Sequence, residues 1–239
     1  MTDELFRDDA TLLQCSATLT GVSEAGLTLD RTVFYPQGGG QAGDTGRLLR
    51  ADGASLVITD TRKGAEPGQI LHLVAPGTDL SGWAAGQAVT AHIDADRRMA
   101  HRRFHTATHL LCALVPHPVD GCSITAGYAR LDFHMTEPLD KDALTAGIAR
   151  LVAAAHPVTT RWITDAELDA NPGLVRSMSV QPPRGSGRVR LVEVQGVDLQ
   201  PCGGTHVANT AEIGAVVVTK IEKKSAKTRR VVIGFAEPA

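Results

Sequence analysis

Four residues in this chain can act together as a metal-ligand set. His105 and His109 stand four apart in the stretch Arg103-Phe-His-Thr-Ala-Thr-His-Leu-Leu111, and Cys202 and His206 stand four apart in Gln200-Pro-Cys-Gly-Gly-Thr-His206. On a helix the first spacing puts both imidazoles on one face, one turn apart. Gly203 and Gly204 between the second pair allow a tight backbone path that lets both side chains point the same way. Three imidazole nitrogens and one thiolate suit tetrahedral Zn²⁺. No Glu lies between His105 and His109, so the His-Glu-x-x-His pattern of metallopeptidases, with its built-in base, is absent. The spacing leaves open whether all four bind and close the shell, or whether one stands off as acid or base beside an open position.

A helix over about 96–114 must carry the first pair. His101 falls one turn before His105 on the same face, as a packing or solvent-facing residue, and Pro116 and Pro118 end the element. Cys112 lies inside it and reads as core. Before it, residues 1–93 read as β: short runs around Leu12–Leu29, a Thr-Val-Phe-Tyr35 segment, and strands near 47–50, 55–60, 69–74 and 87–93, punctuated by Gly, Pro and Asp. Many short strands of this kind suggest a small barrel. Pro36-Gln-Gly-Gly-Gly-Gln41 matches no phosphate-binding loop signature. Its glycines serve either a tight turn or close backbone approach to a ligand at a domain interface.

Asp94-Ala-Asp-Arg-Arg98 marks a domain boundary. After the helix come a turn and a strand over 121–135, with Cys122 and His134 able to line a pocket. A second helix capped by Thr136 or Asp140 runs to about Ala155, followed by a strand at 158–163, a helical turn at 165–168, and a strand at 188–194. A closing hairpin is expected from 213–221, a basic loop at 222–228, and 230–235. Two helices against about five mostly antiparallel strands give an α+β sandwich. The expected architecture is therefore an N-terminal glycine-rich β-barrel domain over residues 1–93 and a two-layer α/β domain over 94–239.

The chain has 239 residues and a formal net charge of −2, so no global basic field points to nucleic acid. Basic residues instead cluster locally: Arg97, Arg98, Arg102 and Arg103; Arg184, Arg188 and Arg190; and six between Lys220 and Arg230. One such run is ordinarily a solvated face, but three suggest a polyanion surface that reads phosphate and shape, as in structured RNA. With two Trp and two Tyr, base-stacking platforms are not expected. The four scattered cysteines fit a reduced cytoplasmic setting better than a disulfide framework. The acidic start has no apolar signal core, and no apolar run approaches the ~18 residues that span a bilayer.

These motifs match a known family. His105-Thr-Ala-Thr-His109-Leu-Leu, Leu131-Asp-Phe, Pro201-Cys-Gly-Gly-Thr-His206-Val and Ile213-Gly resemble the editing domain of alanyl-tRNA synthetase. Phe34-Tyr-Pro-Gln-Gly-Gly-Gly-Gln41 with Asp44 and Gly46, and Ile93-Asp-x-x-x-Arg97-Arg98, resemble the segment that precedes it. Ala95 departs from the bulky aromatic expected there. The length has no room for a class II aminoacylation core, so the chain resembles a free-standing alanyl-tRNA editing protein of the AlaX type, in its medium-length form.

That resemblance implies hydrolysis of the ester in tRNA-Ala mischarged with serine or glycine. It also implies zinc on His105, His109, Cys202 and His206, and Gly38, Gly39 and Gly40 near the amino-acid pocket. Arg229 and Arg230, which close its basic hairpin, are expected among the substrate-binding residues with Cys122 and Ser123. An ester hydrolase needs a positioned water and charge stabilisation at the carbonyl oxygen. Serine is told from alanine most strongly by groups that hydrogen-bond its hydroxyl, and Thr106, Gln41, Ser123 and Cys122 are the candidates. Thr106 and Gln41 are also the candidates for orienting water. The competing readings are a non-catalytic zinc module that binds tRNA, a zinc hydrolase of small esters, and a threonyl-tRNA-type editing domain. No membrane partner is expected, and a monomer is favoured.

Overall fold

The computed structural model describes residues 1–175 and 187–236. It is an α+β structure of mostly antiparallel strands with few helices. The chain divides into two compact units, Met1–Gly38 with Ala42–Met99, and Gly39–Gln41 with Ala100–Ala239. The tripeptide Gly39–Gln41 thus belongs with the second unit.

The first unit contains β1 (Asp3–Glu4), β2 (Gln14–Ser23), β3 (Gly26–Leu29), β4 (Arg31–Thr32), β5 (Gly46–Arg50), β6 (Ser55–Ile58), β7 (Asp60–Lys63), β8 (Ile70–Leu73) and β9 (Ala88–Ile93). Seven of these form one sheet in the order β6-β5-β9-β2-β3-β8-β7. β2 serves two partners: Gln14 to Thr18 pair with β9, and Leu19 to Ser23 pair with β3 across a register shift near Gly21. The two ends of the order are consecutive in the chain, separated by Thr59, whose N–H donates to Leu73 O. Alternation buries Leu19, Leu27, Leu29, Leu48, Ile58 and Ala91 in one apolar core. Asp44 and Arg98 form an ion pair with both side chains 1% exposed. Arg98 also donates to the carbonyls of Ala10 and Val33, and Tyr35 N–H donates to Asp44, which is how two buried charges are tolerated.

Helix α1 (Ala95–Leu114) begins where Asp94 Oδ1 accepts from Arg97 N–H at 3.0 Å, and it ends just before Pro116. Beyond it lie β10 (Val119–Ile124), β11 (Ala129–His134), α2 (Lys141–Ala153), β12 (Val158–Thr164), α3 (Asp165–Asp169), β13 (Arg188–Val194), β14 (Asp198–Pro201), β15 (Val216–Ser225) and β16 (Thr228–Phe235). Asp140, not Thr136, caps α2, accepting from Asp142 and Ala143 N–H. Among the described residues these strands fall into two antiparallel sheets, β10-β11-β16-β15 and β12-β13-β14, where one mostly antiparallel sheet of about five strands is expected from the sequence. The segment expected as a basic loop at 222–228 is largely strand: Ser225 pairs with Thr228, so only two residues make the turn. The run Glu222-Lys-Lys-Ser-Ala-Lys-Thr228 has no apolar alternation, which is why composition alone reads it as loop. The main core gathers Phe104, Leu110 and Leu111 of α1, Ile148 of α2, and Leu131, Phe133, Val231 and Ile233 of the four-stranded sheet. No helix among the described residues is long and apolar enough to cross a membrane.

Candidate metal centre

α1 is a polar helix placed in the protein interior. Arg98, His101, Arg102, His105, Thr106, Thr108 and His109 are all buried on it. Burying so many polar groups costs free energy unless each finds a partner, so the partners define what the helix is for.

His105 and His109 meet Cys202 and His206 as the spacing predicts. One donor atom from each of the four lies within 4.8 Å of every other, and the three histidines are buried. Cys202 Sγ lies 3.3 Å from Nε2 of both His105 and His206. A tetrahedral zinc bound at ordinary bond lengths sets sulfur and nitrogen about 3.5 Å apart. The donor set therefore fits a metal ion of the zinc type.

Each imidazole is held from behind through Nδ1, leaving Nε2 for the centre. His105 Nδ1–H donates to Gln41 Oε1 at 2.7 Å, and His109 Nδ1–H to Asp198 Oδ2 at 2.9 Å. His206 Nδ1–H donates to Thr106 Oγ1 at 3.1 Å. Such outer partners fix the tautomer and aim of metal-binding histidines. Thr106 is fully used: its hydroxyl donates to Arg102 O and accepts from both His206 and Val207 N–H. Gln41 reaches the site from the glycine-rich segment. Its Oε1 also accepts from Thr205 N–H, and its amide N–H donates to Thr205 Oγ1.

The loop Cys202 to His206 is shaped by close approach. A Cβ on Gly204 would overlap the His105 ring and lie 3.0 Å from Gln41 Oε1. Arg190 pins the loop, donating from Nη1 to Cys202 O and Gly204 O at 3.0 Å each, and Gly204 N–H points at Cys202 Sγ. Arg102 donates to His206 O. Alternation along β13 and β14 puts Arg190, Asp198 and Gln200 on one face, so one strand pair supplies both the loop clamp and the partner of His109.

The charges are mutually dependent. Burial alone would raise the Cys202 thiol, but His105 and His206 beside it, with hydrogen bonds from His105 and His109, hold it well below its usual value. Burial, reinforced by His105, keeps His206 well below the ordinary histidine range. Burial would lower His109, but Asp198 and the Cys202 sulfur beside it outweigh burial and raise it to about 9, so binding a metal, which takes a thiolate and neutral imidazoles, would release a proton from His109.

The remaining candidates fall in different places. Gly40, at φ +83°, packs on Cys122: an added Cβ would lie 2.7 Å from its Sγ. Gly39 also has positive φ, whereas a Cβ on Gly38 would meet only ordinary contacts, the nearest at 3.6 Å. Ile124 N–H donates to Gly40 O, tying the glycine segment to β10, which carries Cys122 and Ser123. Burial pushes the Cys122 thiol up to about 12, so it is an inert, uncharged group. Arg229 is turned inward and donates to Ser225 O, Thr228 O and Thr136 O. Arg230 faces outward and grips Asp132. His134 pairs with Asp120 at 3.2 Å, and Cys112 is core. Arg184 lies outside the described residues. Asp198 braces His109, a place spacing did not single out although an acid inside the apolar run Val197-Asp-Leu199 is a detectable signal, and Arg190, expected on a polyanion surface, turns to the Cys202–His206 loop instead.

Two family models match parts of the chain: the threonyl and alanyl tRNA synthetase second additional domain over residues 189–232, and the class II (A) tRNA synthetases over residues 8–97. Relatives match almost end to end. An alanyl-tRNA editing protein AlaX-M from Methanosarcina barkeri is 34% identical, with 96% of this chain and 97% of that protein covered. One of the same name from Saccharolobus solfataricus is 32% identical over 97% of this chain and 98% of its own length. An alanine–tRNA ligase from Methanothermobacter thermautotrophicus is 34% identical over 93% of this chain but only 25% of the ligase. The chain belongs to the family of alanyl-tRNA editing proteins of the AlaX-M type.

Proposed function

We propose that this protein is a trans-editing hydrolase that removes serine, and also glycine, from mischarged tRNA-Ala by cleaving the aminoacyl ester. The buried His105–His109–Cys202–His206 centre, with each imidazole braced from behind, carries this reading. The end-to-end match to alanyl-tRNA editing proteins supports it. Zinc is the metal the donor set favours, and when bound it supplies a fixed positive charge for a carbonyl oxygen, amino group or water.

The chain's own residues do the rest. Gln41 and Thr106 serve the reaction through the histidines: Gln41 aims His105 and orders the Thr205 backbone, and Thr106 aims His206. Asp198 aims His109, and Arg190 fixes the loop that presents Cys202. Gly38, Gly39, Gly40, Cys122 and Ser123 form the substrate side, with Gly40 allowing the glycine segment to lie on Cys122. Recognition of a serine hydroxyl falls to Ser123 and backbone groups, because the Thr106 hydroxyl has no capacity left.

Residues 1–93 form the N-terminal domain and 94–239 the editing domain. The N-terminal sheet is read as a small barrel, supported by β6 and β7 lying at opposite ends of the strand order yet joined by one residue. The protein works as a cytoplasmic monomer, a setting supported by its four free cysteines. The test is a comparison of seryl esters on tRNA-Ala and tRNA-Thr. Serine release from tRNA-Ala alone is expected, and preference for tRNA-Thr would replace this reading with the threonyl type.

A further inference from the structure

The four-stranded sheet of the second unit has an apolar face that packs on the helices and a second face of different chemistry. Leu131, Phe133, Val231 and Ile233 point into the core. Alternation puts Arg130, Asp132 and Arg230 on the opposite face, with Asp132 and Arg230 directly paired in register. Asp132 is the centre of a cluster. Arg230 grips it through Nε at 2.7 Å and Nη2 at 2.9 Å, Arg130 Nη1 lies 2.9 Å away, and Lys224 Nζ 3.0 Å. The carboxylate side chain is 3% exposed, while Arg230 is 22%, Arg130 27% and Lys224 51% exposed.

One cation would neutralise this carboxylate, yet three converge on it. Glu222 faces Arg230 in register and pairs with Lys220 at 2.6 Å, so the patch holds four cations against two carboxylates and keeps a formal charge of +2, with three of the cations held in fixed directions by one buried anchor. Guanidinium groups have five donors, and Asp132 takes two from Arg230 and one from Arg130, so donors remain for an outside anion. Tyr128, 43% exposed, precedes this stretch of β11 and lies within electrostatic range of Arg230. β10 links this face to the metal centre's surroundings: Gly121 is paired with Asp132, and Cys122, next in sequence, packs against Gly40. A pre-ordered patch of excess positive charge complements the repeated phosphates of a nucleic-acid backbone, and the exposed Tyr128 ring beside it can meet an unpaired base.

We infer that Arg130, Lys224 and Arg230, organised by Asp132, form a phosphate-binding surface that docks the RNA body of the substrate. This rests on the proposed editing function for its choice of RNA, but its test needs no hydrolysis. The probe is uncharged tRNA-Ala, with the equilibrium constant measured by fluorescence anisotropy from 50 to 200 mM salt. The Arg130→Gln/Arg230→Gln variant is expected to bind about tenfold more weakly and to lower the slope of log K against log salt by about 2. Lys224→Gln, whose side chain is half exposed, is expected to lower the slope by about 1 without disturbing the fold. Wild-type affinity and slope in Lys224→Gln would overturn the surface, as would wild-type behaviour of the double variant. Editing lost or absent while RNA binding follows this pattern would count against the reaction and not the surface. Unchanged binding in an active editing enzyme would count against the surface alone.

Discussion

Gly204→Ala tests how tightly the metal centre is built. A Cβ at this position would overlap Cε1 and Nδ1 of His105, so the ring or the loop must move by about 1 Å or more to restore ordinary contact. Metal-ligand distances tolerate only about 0.2 Å. The ring cannot retreat freely, because Gln41 Oε1 already sits against Nδ1, and the loop is pinned by Arg190. Removing an outer partner of a metal-binding histidine costs about 10–100-fold in affinity, so displacing the ligand itself should cost at least about 100-fold. That is about 2.7 kcal/mol. In zinc at a thousand times its wild-type Kd, the stabilisation by metal should fall from about 4 to about 1.4 kcal/mol. The assay is zinc competition against a chromophoric chelator, with thermal melts in the presence and absence of zinc. Gly38→Ala is the control, since its added Cβ meets nothing closer than 3.6 Å. A folded Gly204→Ala protein that holds zinc as tightly as wild type would refute the reasoning.

Thr106→Val removes the acceptor behind His206 and strands Val207 N–H. Zinc affinity should fall about 10–100-fold while the ratio of seryl to alanyl hydrolysis in the zinc-loaded enzyme stays the same; a changed ratio at full loading would show instead that Thr106 reads the substrate. Asp44→Ala leaves Arg98 charged and buried, and should destabilise the fold by about 3–5 kcal/mol in urea titrations; a loss under 1 kcal/mol would contradict the buried-pair account. His72 is buried with Nδ1–H on Leu27 O, and burial lowers its value from 6.5 to about 4. The unfolded chain therefore binds the proton first: stability is full above pH 6.5 and falls as pH drops to about 4, by about 3 kcal/mol. His72→Gln should flatten that part of the pH–stability curve.

The His105–His109–Cys202–His206 cluster was legible because His and Cys at two fixed spacings carry their chemistry in the sequence. α1 was legible from the His105–His109 spacing and the prolines beyond it, and α2 from its apolar face and cap. What braces the ligands was less visible. Gln41 is 64 residues from His105 and Asp198 is 89 from His109, and although an acid in the apolar run Val197-Asp-Leu199 is a local signal, nothing in the sequence pairs either residue with its histidine. Gly204 was read for flexibility, whereas the structure uses it for the space it leaves beside His105. Arg229 and Arg230 look alike in sequence, but strand alternation sends one inward to carbonyls and the other outward to Asp132. The division of the strands into two sheets depends on pairing over long separations, which composition and periodicity do not encode.

The most direct measurement is release of labelled serine from seryl-tRNA-Ala by the zinc-loaded protein, with alanyl-tRNA-Ala alongside. Rapid release of serine with the alanyl ester spared is the expected result. Equal stability of both esters, in a folded and zinc-loaded sample, would contradict serine editing.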